Sequence, residues 1–231
     1  MSVLLLQLIG PMQSWGTTSR FDVRETGKEP SKSGILGILA AALGIDRSNW
    51  KDLEPLTQLT MGVRHDRPGF PRIDLQTAGC AAGETMIKAN GTQSHNGVLS
   101  RRHYLADAAF LVGLESPDRL PLEAILGALK NPVWPIGLGR KSYLPSEPLW
   151  GDTPLTELPL REALTTHPWL GHRHRGEPLP HQLRVSYESQ DHHGQRVMDV
   201  PLSSFQDRHF GARYLTHEWI PLPHEVAHVS A

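Results

Sequence analysis

Three observations predict an α+β fold. The chain opens on a continuous apolar run, Val3-Leu4-Leu5-Leu6-Gln7-Leu8-Ile9, which suits a central strand covered on both faces. Two segments of helical period lie far apart, at 34–43 and 121–130. Short β-compatible runs fall between and after them, punctuated by glycine and proline, of which the 231 residues hold 21 and 19. Those counts favour loops and short strands over a helical bundle.

In chain order, the first strand stops at Gly10-Pro11-Met12-Gln13-Ser14-Trp15-Gly16. Residues 17–30 are polar and irregular, with Arg20, Arg24 and Lys28 spread along them. Pro30-Ser31-Lys32-Ser33 starts a helix, because a serine hydroxyl accepts from a free backbone N–H there. Ile35, Leu39 and Ala42 share one face of it, joined by Leu36 and Leu43, and Gly44 is the expected left-handed terminator. Gly34, Gly37 and Ala41 form a small-residue stripe. A second strand is expected over 56–64.

Residues 66–103 carry turn signals at Pro68-Gly69, Gly79, Gly83, Asn90-Gly91 and Asn96-Gly97. That stretch is too long for an ordinary connection and reads as a functional projection. Strand character returns over 104–114. The helix at 121–130 shows Leu122, Ile125, Leu126 and Leu129 as its stripe, ending at Asn131-Pro132. A basic glycine loop follows, Gly137-Leu138-Gly139-Arg140-Lys141-Ser142-Tyr143. Residues 145–180 are proline-rich without a long periodic element, and 183–188, 195–200 and 214–220 read as strands. The order over the first 145 residues fits a ferredoxin-like (RRM-like) βαββαβ unit. Residues 1–150 form that domain, and 151–231 a small irregular, β-rich C-terminal region.

The single cysteine, Cys80, excludes an intrachain disulfide and fits a reducing cytoplasm. The run at 3–9 is too short to span a bilayer and lacks a basic flank, so it is neither an anchor nor a signal peptide. The formal net charge is −1. A protein that grips nucleic acid alone carries a positive excess, so an RNA site here is local or completed by basic neighbours.

Three stretches could bind RNA. Residues 10–34 combine a helix N-terminus, whose free N–H groups attract anions, with Arg24, Lys32, Ser33, Gly34 and a stacking candidate, Trp15. The alternative is a capped helix packed on a strand, with Trp15 in the core. Gly139-Arg140-Lys141-Ser142-Tyr143 suits phosphate oxygens but is not a P-loop, and is otherwise a solvated basic turn. Ser100-Arg101-Arg102-His103 could clamp a backbone at the foot of the projection, or be a charged strand end.

The thirteen histidines raise metal chemistry. His172-Arg173-His174-Arg175 and His192-His193 lack the spaced partners of a structural zinc site, and alternating arginines oppose a cation. No metal or other cofactor is expected. Nothing marks Cys80 as activated. His95, His103, Tyr104 and Lys88 supply the residue types for metal-free RNA cleavage, so a ribonuclease stands as the alternative function.

Four stretches together resemble one family. They are Leu8 to Gly16; Pro30 to Leu39 with Ala42-Leu43-Gly44-Ile45; Arg102 to Phe110; and Leu138 to Ser142 followed by Pro145. In order and spacing they are similar to the CasD-type subunits of the type I-E CRISPR surveillance complex, Cascade, over about the first 150 residues. Glu218-Trp219 adds a weak likeness.

The resemblance implies a subunit that binds the 5′ handle of CRISPR RNA and caps the filament of CasC-type backbone subunits. It implies a thumb, here 74–103, reaching toward the neighbouring backbone subunit. It also implies a CasA-type large subunit nearby, target DNA reached only through the complex, and cleavage left to a separate CasE subunit. On that basis the expected RNA contacts are Gln13, Trp15, Arg24, Lys32, Ser33, Gly34, Arg101, Arg102, Gly139, Arg140, Lys141 and Tyr143, with no catalytic residues. A third possibility is a protein-assembly module whose contact with RNA is incidental.

Overall fold

The opening apolar run lacks alternation because both of its faces are covered. It forms β1 (Ser2–Gln13), in which Val3, Leu4, Leu6 and Leu8 are wholly buried. In this computed structural model, residues 1–16, 23–79, 85–87, 91–174, 176–189 and 191–223 are described. After β1 come β2 (Val23–Arg24), α1 (Lys32–Leu43), α2 (Trp50–Thr57), β3 (Thr60–Arg67) and β4 (Phe70–Ala78). Next are β5 (Met86–Ile87), β6 (Gln93–Ser94), β7 (Val98–Ser116), α3 (Leu120–Lys130) and β8 (Leu155–Thr156). The series closes with α4 (Leu160–Thr166), β9 (Gln182–Ser189), β10 (Gln195–Pro201) and β11 (Phe210–Pro221).

The fold is mixed α and β around a mostly antiparallel sheet in the order β10-β11-β9-β3-β7-β1-β8. The strands of residues 182–221 extend that same sheet, since β9 pairs with β3. β7 is the organiser. Its C-terminal half lies between β1 and β3, while its N-terminal half continues outward against β4 as a two-stranded ribbon. β2 runs parallel to the ribbon at Arg101 and Arg102.

One face of the sheet packs against α1, α2, α3 and the loop through Leu138 and Leu149. The other packs against α4, where Gly62 and Gly113 sit opposite each other on β3 and β7. A Cβ on either glycine would meet Leu160 and Leu164, so their bareness lets the helix lie close to the sheet. Arg64, fully buried, anchors the end of α4. Its Nε and Nη2 hold the Asp66 carboxylate at 2.6 and 2.7 Å. Its Nη1 donates to the Leu164 and His167 carbonyls, and Nη2 also to that of Pro168. All five N–H groups of that guanidinium therefore have acceptors.

Two expectations need correction. Residues 56 and 57 belong to α2, and the strand begins at Thr60. The helix is short, is capped by Asn49 accepting from the Asp52 N–H, and contains Pro55, so its period is masked. The projection is also more ordered than a turn-rich excursion: it is the β4/β7 ribbon, with β5 and β6 pairing beyond it. Arg20, Cys80, Gly83, Lys88, Asn90 and Arg175 lie outside the described residues. No helix among the described residues is long and apolar enough to cross a membrane.

Candidate nucleic-acid interface

The start of α1 was expected to offer free N–H groups to an anion, but the protein fills that place itself. Ser31 caps the helix, its Oγ accepting from the Gly34 N–H at 3.2 Å. The Asp199 carboxylate, on β10, accepts from the Lys32 N–H at 2.8 Å. Asp199 is in turn gripped by Arg213 through two bonds of 2.7 and 2.8 Å. The Lys32 ammonium turns inward to Glu188 at 3.0 Å, 5% exposed, and burial lowers its pKa against the pull of that carboxylate. Lys32 thus forms an internal ion pair with Glu188.

Three further expected contacts are also turned inward. Trp15 is 1% exposed, packed against the bare face of Gly34, with its indole N–H donating to Gln13 Oε1. Gln13 is itself buried, its amide donating to the carbonyls of Leu8 and Ala108 at 2.8 Å. Tyr143 is buried under Arg140, whose Nη1 donates to its hydroxyl at 2.6 Å. Of the three, Trp15 lines the cavity beside them, and Gln13 and Tyr143 stand behind its wall. The close approach that Gly34 permits is taken by Trp15's own ring.

Beside them lies a cavity of about 690 Å³. Arg24, Arg47, Arg102, Arg140 and Arg208 line it, with Ser14, Gly16, Ser31, Ser33, Gly34 and Gly139 supplying small or polar walls. Phe205 and Phe210 form its aromatic side, and Glu25 is its only acidic lining residue among those described. The arginines arrive from five places: β2, the turn after α1, β7, the glycine loop, and the β10–β11 turn. Such a cluster suits phosphate oxygens, and half-buried phenylalanines suit bases.

The glycine loop is locked onto the end of β1. The Ser14 N–H donates to the Leu138 carbonyl at 3.1 Å, and Gly139, at φ 89°, lies so close that a Cβ would overlap the Ser14 carbonyl oxygen. Arg140 ties the loop to the ribbon through the His103 carbonyl at 2.9 Å and the Arg24 carbonyl at 3.2 Å. Expected contacts thus sort into two groups. Trp15, Arg24, Ser33, Gly34, Arg102, Gly139 and Arg140 converge on the cavity. Arg101 and Lys141 are exposed but do not line it.

Sequence reasoning missed Arg47, Phe205, Arg208 and Phe210. The only local signal was the basic–aromatic grouping Arg208-His209-Phe210. A second cavity, of about 480 Å³, lies among Pro68, Pro71, Pro180, Leu183 and Trp219; its walls are largely apolar, which does not suit a phosphate chain.

Against known proteins, the family described as CRISPR-associated protein (Cas_Cas5) matches residues 3–216. The chain belongs to that Cas5 family. CRISPR system Cascade subunit CasD of Escherichia coli (strain K12) is 32% identical over 174 residues, which is 72% of this chain and 78% of that protein. The crystal structure of a Cas protein superposes with a TM-score of 0.76 at 41% identity, covering 97% of this chain and 100% of the other. A chain of a CRISPR RNA-guided surveillance complex superposes with a TM-score of 0.77 at 31% identity, covering 96% and 91%. In this Cas5-family chain, the match extends through β9, β10 and most of β11, the stretch that supplies Phe205, Arg208 and Phe210 to the cavity wall and Asp199 to the start of α1.

Proposed function

We propose that this chain is a non-catalytic subunit of a Cascade-type CRISPR surveillance complex in the cytoplasm. It holds the 5′ handle of CRISPR RNA in the arginine-lined cavity and caps the filament of CasC-type backbone subunits. The observation that carries the reading is that cavity: five arginines and two phenylalanines on one face of a chain whose net charge is −1. The kinship with CasD of Cascade and with a chain of an RNA-guided complex supports it.

The core follows the ferredoxin-like pattern. β8, β1, β7 and β3 stand side by side in that order, with α1 between β1 and β3 in the chain and α3 between β7 and β8. The fourth strand is reduced to Leu155–Thr156. The β4/β7 ribbon is the thumb, 74–103, directed to the adjacent backbone subunit. Phe70, Ile73, Leu75 and Leu99 are each at least half exposed on it, which suits a protein partner. A CasA-type subunit docks nearby, and target DNA is met only through the assembly.

The test is a complex carrying Arg24→Glu, Arg102→Glu and Arg208→Glu. Handle RNA should bind at least about ten-fold more weakly, since three phosphate contacts turn repulsive. RNA that co-purifies in unchanged amount would reject the proposal, and so would site-specific cutting of repeat RNA by the purified wild-type chain in chelator.

A further inference from the structure

Asp107 is the most unusual residue of β7. It sits where the strand leaves β3 for β4, and its φ is 57°, a left-handed value inside an extended strand. Both neighbours have withdrawn from it. On one side β3 ends at Arg67, opposite Ala109, and β4 starts only at Phe70, opposite Ala106; on the other the register places Pro11, which has no N–H to donate. The Asp107 carboxylate meets two imidazoles from a distant segment. His172 Nε2 lies 3.0 Å from Oδ1, and His174 Nε2 lies 2.7 Å from Oδ2. The three ligand atoms fall within 4.8 Å of one another, and the two rings meet edge to face at 5.2 Å.

The arrangement is braced from behind. Arg67, buried on β3, places Nε 2.9 Å from Asp107 Oδ2 and donates through Nη1 to the His172 carbonyl at 2.9 Å. The same Nη1 reaches Glu177 at 2.9 Å, so a second carboxylate balances its charge. Glu177 closes the circuit by accepting from the His174 N–H at 3.0 Å, while its own N–H donates to the His174 carbonyl. One arginine thus fixes the carboxylate and the backbone of the histidine segment together. That is the outer support a metal site requires. The histidine side chains are 50% and 62% exposed, so an ion has direct entry and open positions toward solvent.

We propose that Asp107, His172 and His174 form a binding site for a divalent first-row transition metal, Zn2+ foremost. Two imidazoles and one carboxylate match the preferences of Zn2+, Ni2+ and Co2+ rather than those of Mg2+ or Ca2+, which take oxygen ligands. The sequence showed only two histidines two residues apart. The third ligand comes from 65 positions upstream of His172, which no spacing rule reveals. The ion fastens the 168–177 segment to the root of the β4/β7 ribbon.

The test uses the full chain without a histidine tag, stripped with chelator and dialysed. Zn2+ is titrated by calorimetry and Co2+ by its visible absorption. One ion per chain is expected, with affinity at least about ten-fold weaker in Asp107→Asn and in the His172→Ala/His174→Ala double variant. Excess Mg2+ should not displace it, and His192→Ala/His193→Ala should bind as wild type. Zn2+ should also protect 171–178 from limited proteolysis in the wild type and not in the double variant. Because both histidines are exposed, that variant keeps its fold, which circular dichroism checks. Absence of stoichiometric uptake, uptake that survives the double variant, or uptake lost in the His192/His193 control would overturn the proposal.

Discussion

Glu29 sits against β3 and β9 and is held ionised by both. Its Oε2 accepts from Ser186 Oγ on β9 at 2.7 Å and meets His65 Nε2 on β3 at 2.7 Å. Burial alone would raise its pKa, but the bonds from His65 and Ser186 and the charges of His65 and Arg184 prevail and bring it to about 2, from an ordinary 4.5. A carboxyl depressed in this way stabilises the fold fully above its unfolded pKa. That contribution fades as pH falls from about 4.5 toward 2 and is lost below the folded value. The difference corresponds to about 3 kcal/mol. Urea midpoints measured from pH 7 downward should therefore drop steeply in the acid limb. Glu29→Gln should start lower at neutral pH and show a shallower acid limb; an unchanged profile would contradict this role.

At the scale of elements, the loop 137–143 shows how one glycine positions a binding site. Gly139→Ala forces a left-handed backbone on alanine and drives its Cβ into the Ser14 carbonyl. A loss of about 3 kcal/mol is expected from overpacking and conformational strain together. Thermal unfolding would register it. RNA affinity should fall further than stability alone explains, because Arg140 leaves the cavity with the loop. Some elements were legible in the sequence for local reasons. α1 carries its own cap at Ser31 and its own terminator at Gly44, φ 73°, and α3 carries a full apolar stripe. The start of β3 was not, because Pro55 disguises α2. At the site, Arg102 and Arg140 belong to local motifs, whereas Arg47, Phe205 and Arg208 gain their role only when β10 and β11 close over α1. The inward packing of Trp15 and Lys32 was not legible for the opposite reason. Their residue types suit RNA, but partners from 19 and 156 residues away draw them inward: Gly34 for the indole, Glu188 for the ammonium.

Over the whole molecule, charge is distributed rather than abundant. A net charge of −1 coexists with an arginine-lined cavity, so the proposed attraction to RNA is local to that face. Handle binding should weaken with salt, and each lining arginine replaced by alanine should lower the slope of log affinity against log salt by about 0.7. Fluorescence anisotropy across a salt series, comparing Arg47→Ala and Arg208→Ala with wild type, measures this. Identical slopes would place those arginines outside the RNA path.

The Asp199 carboxylate that closes the N-terminus of α1 has a consequence for synthesis. Residues 32–43 leave the ribosome long before residue 199, and so do Arg24, Arg102 and Arg140. Until β10 arrives, the helix start lacks its carboxylate partner and the cavity lacks Phe205, Arg208 and Phe210. A nascent or truncated chain therefore presents scattered cations but no enclosed site. On the proposed function, capture of RNA therefore waits until β10 and the turn after it have been made.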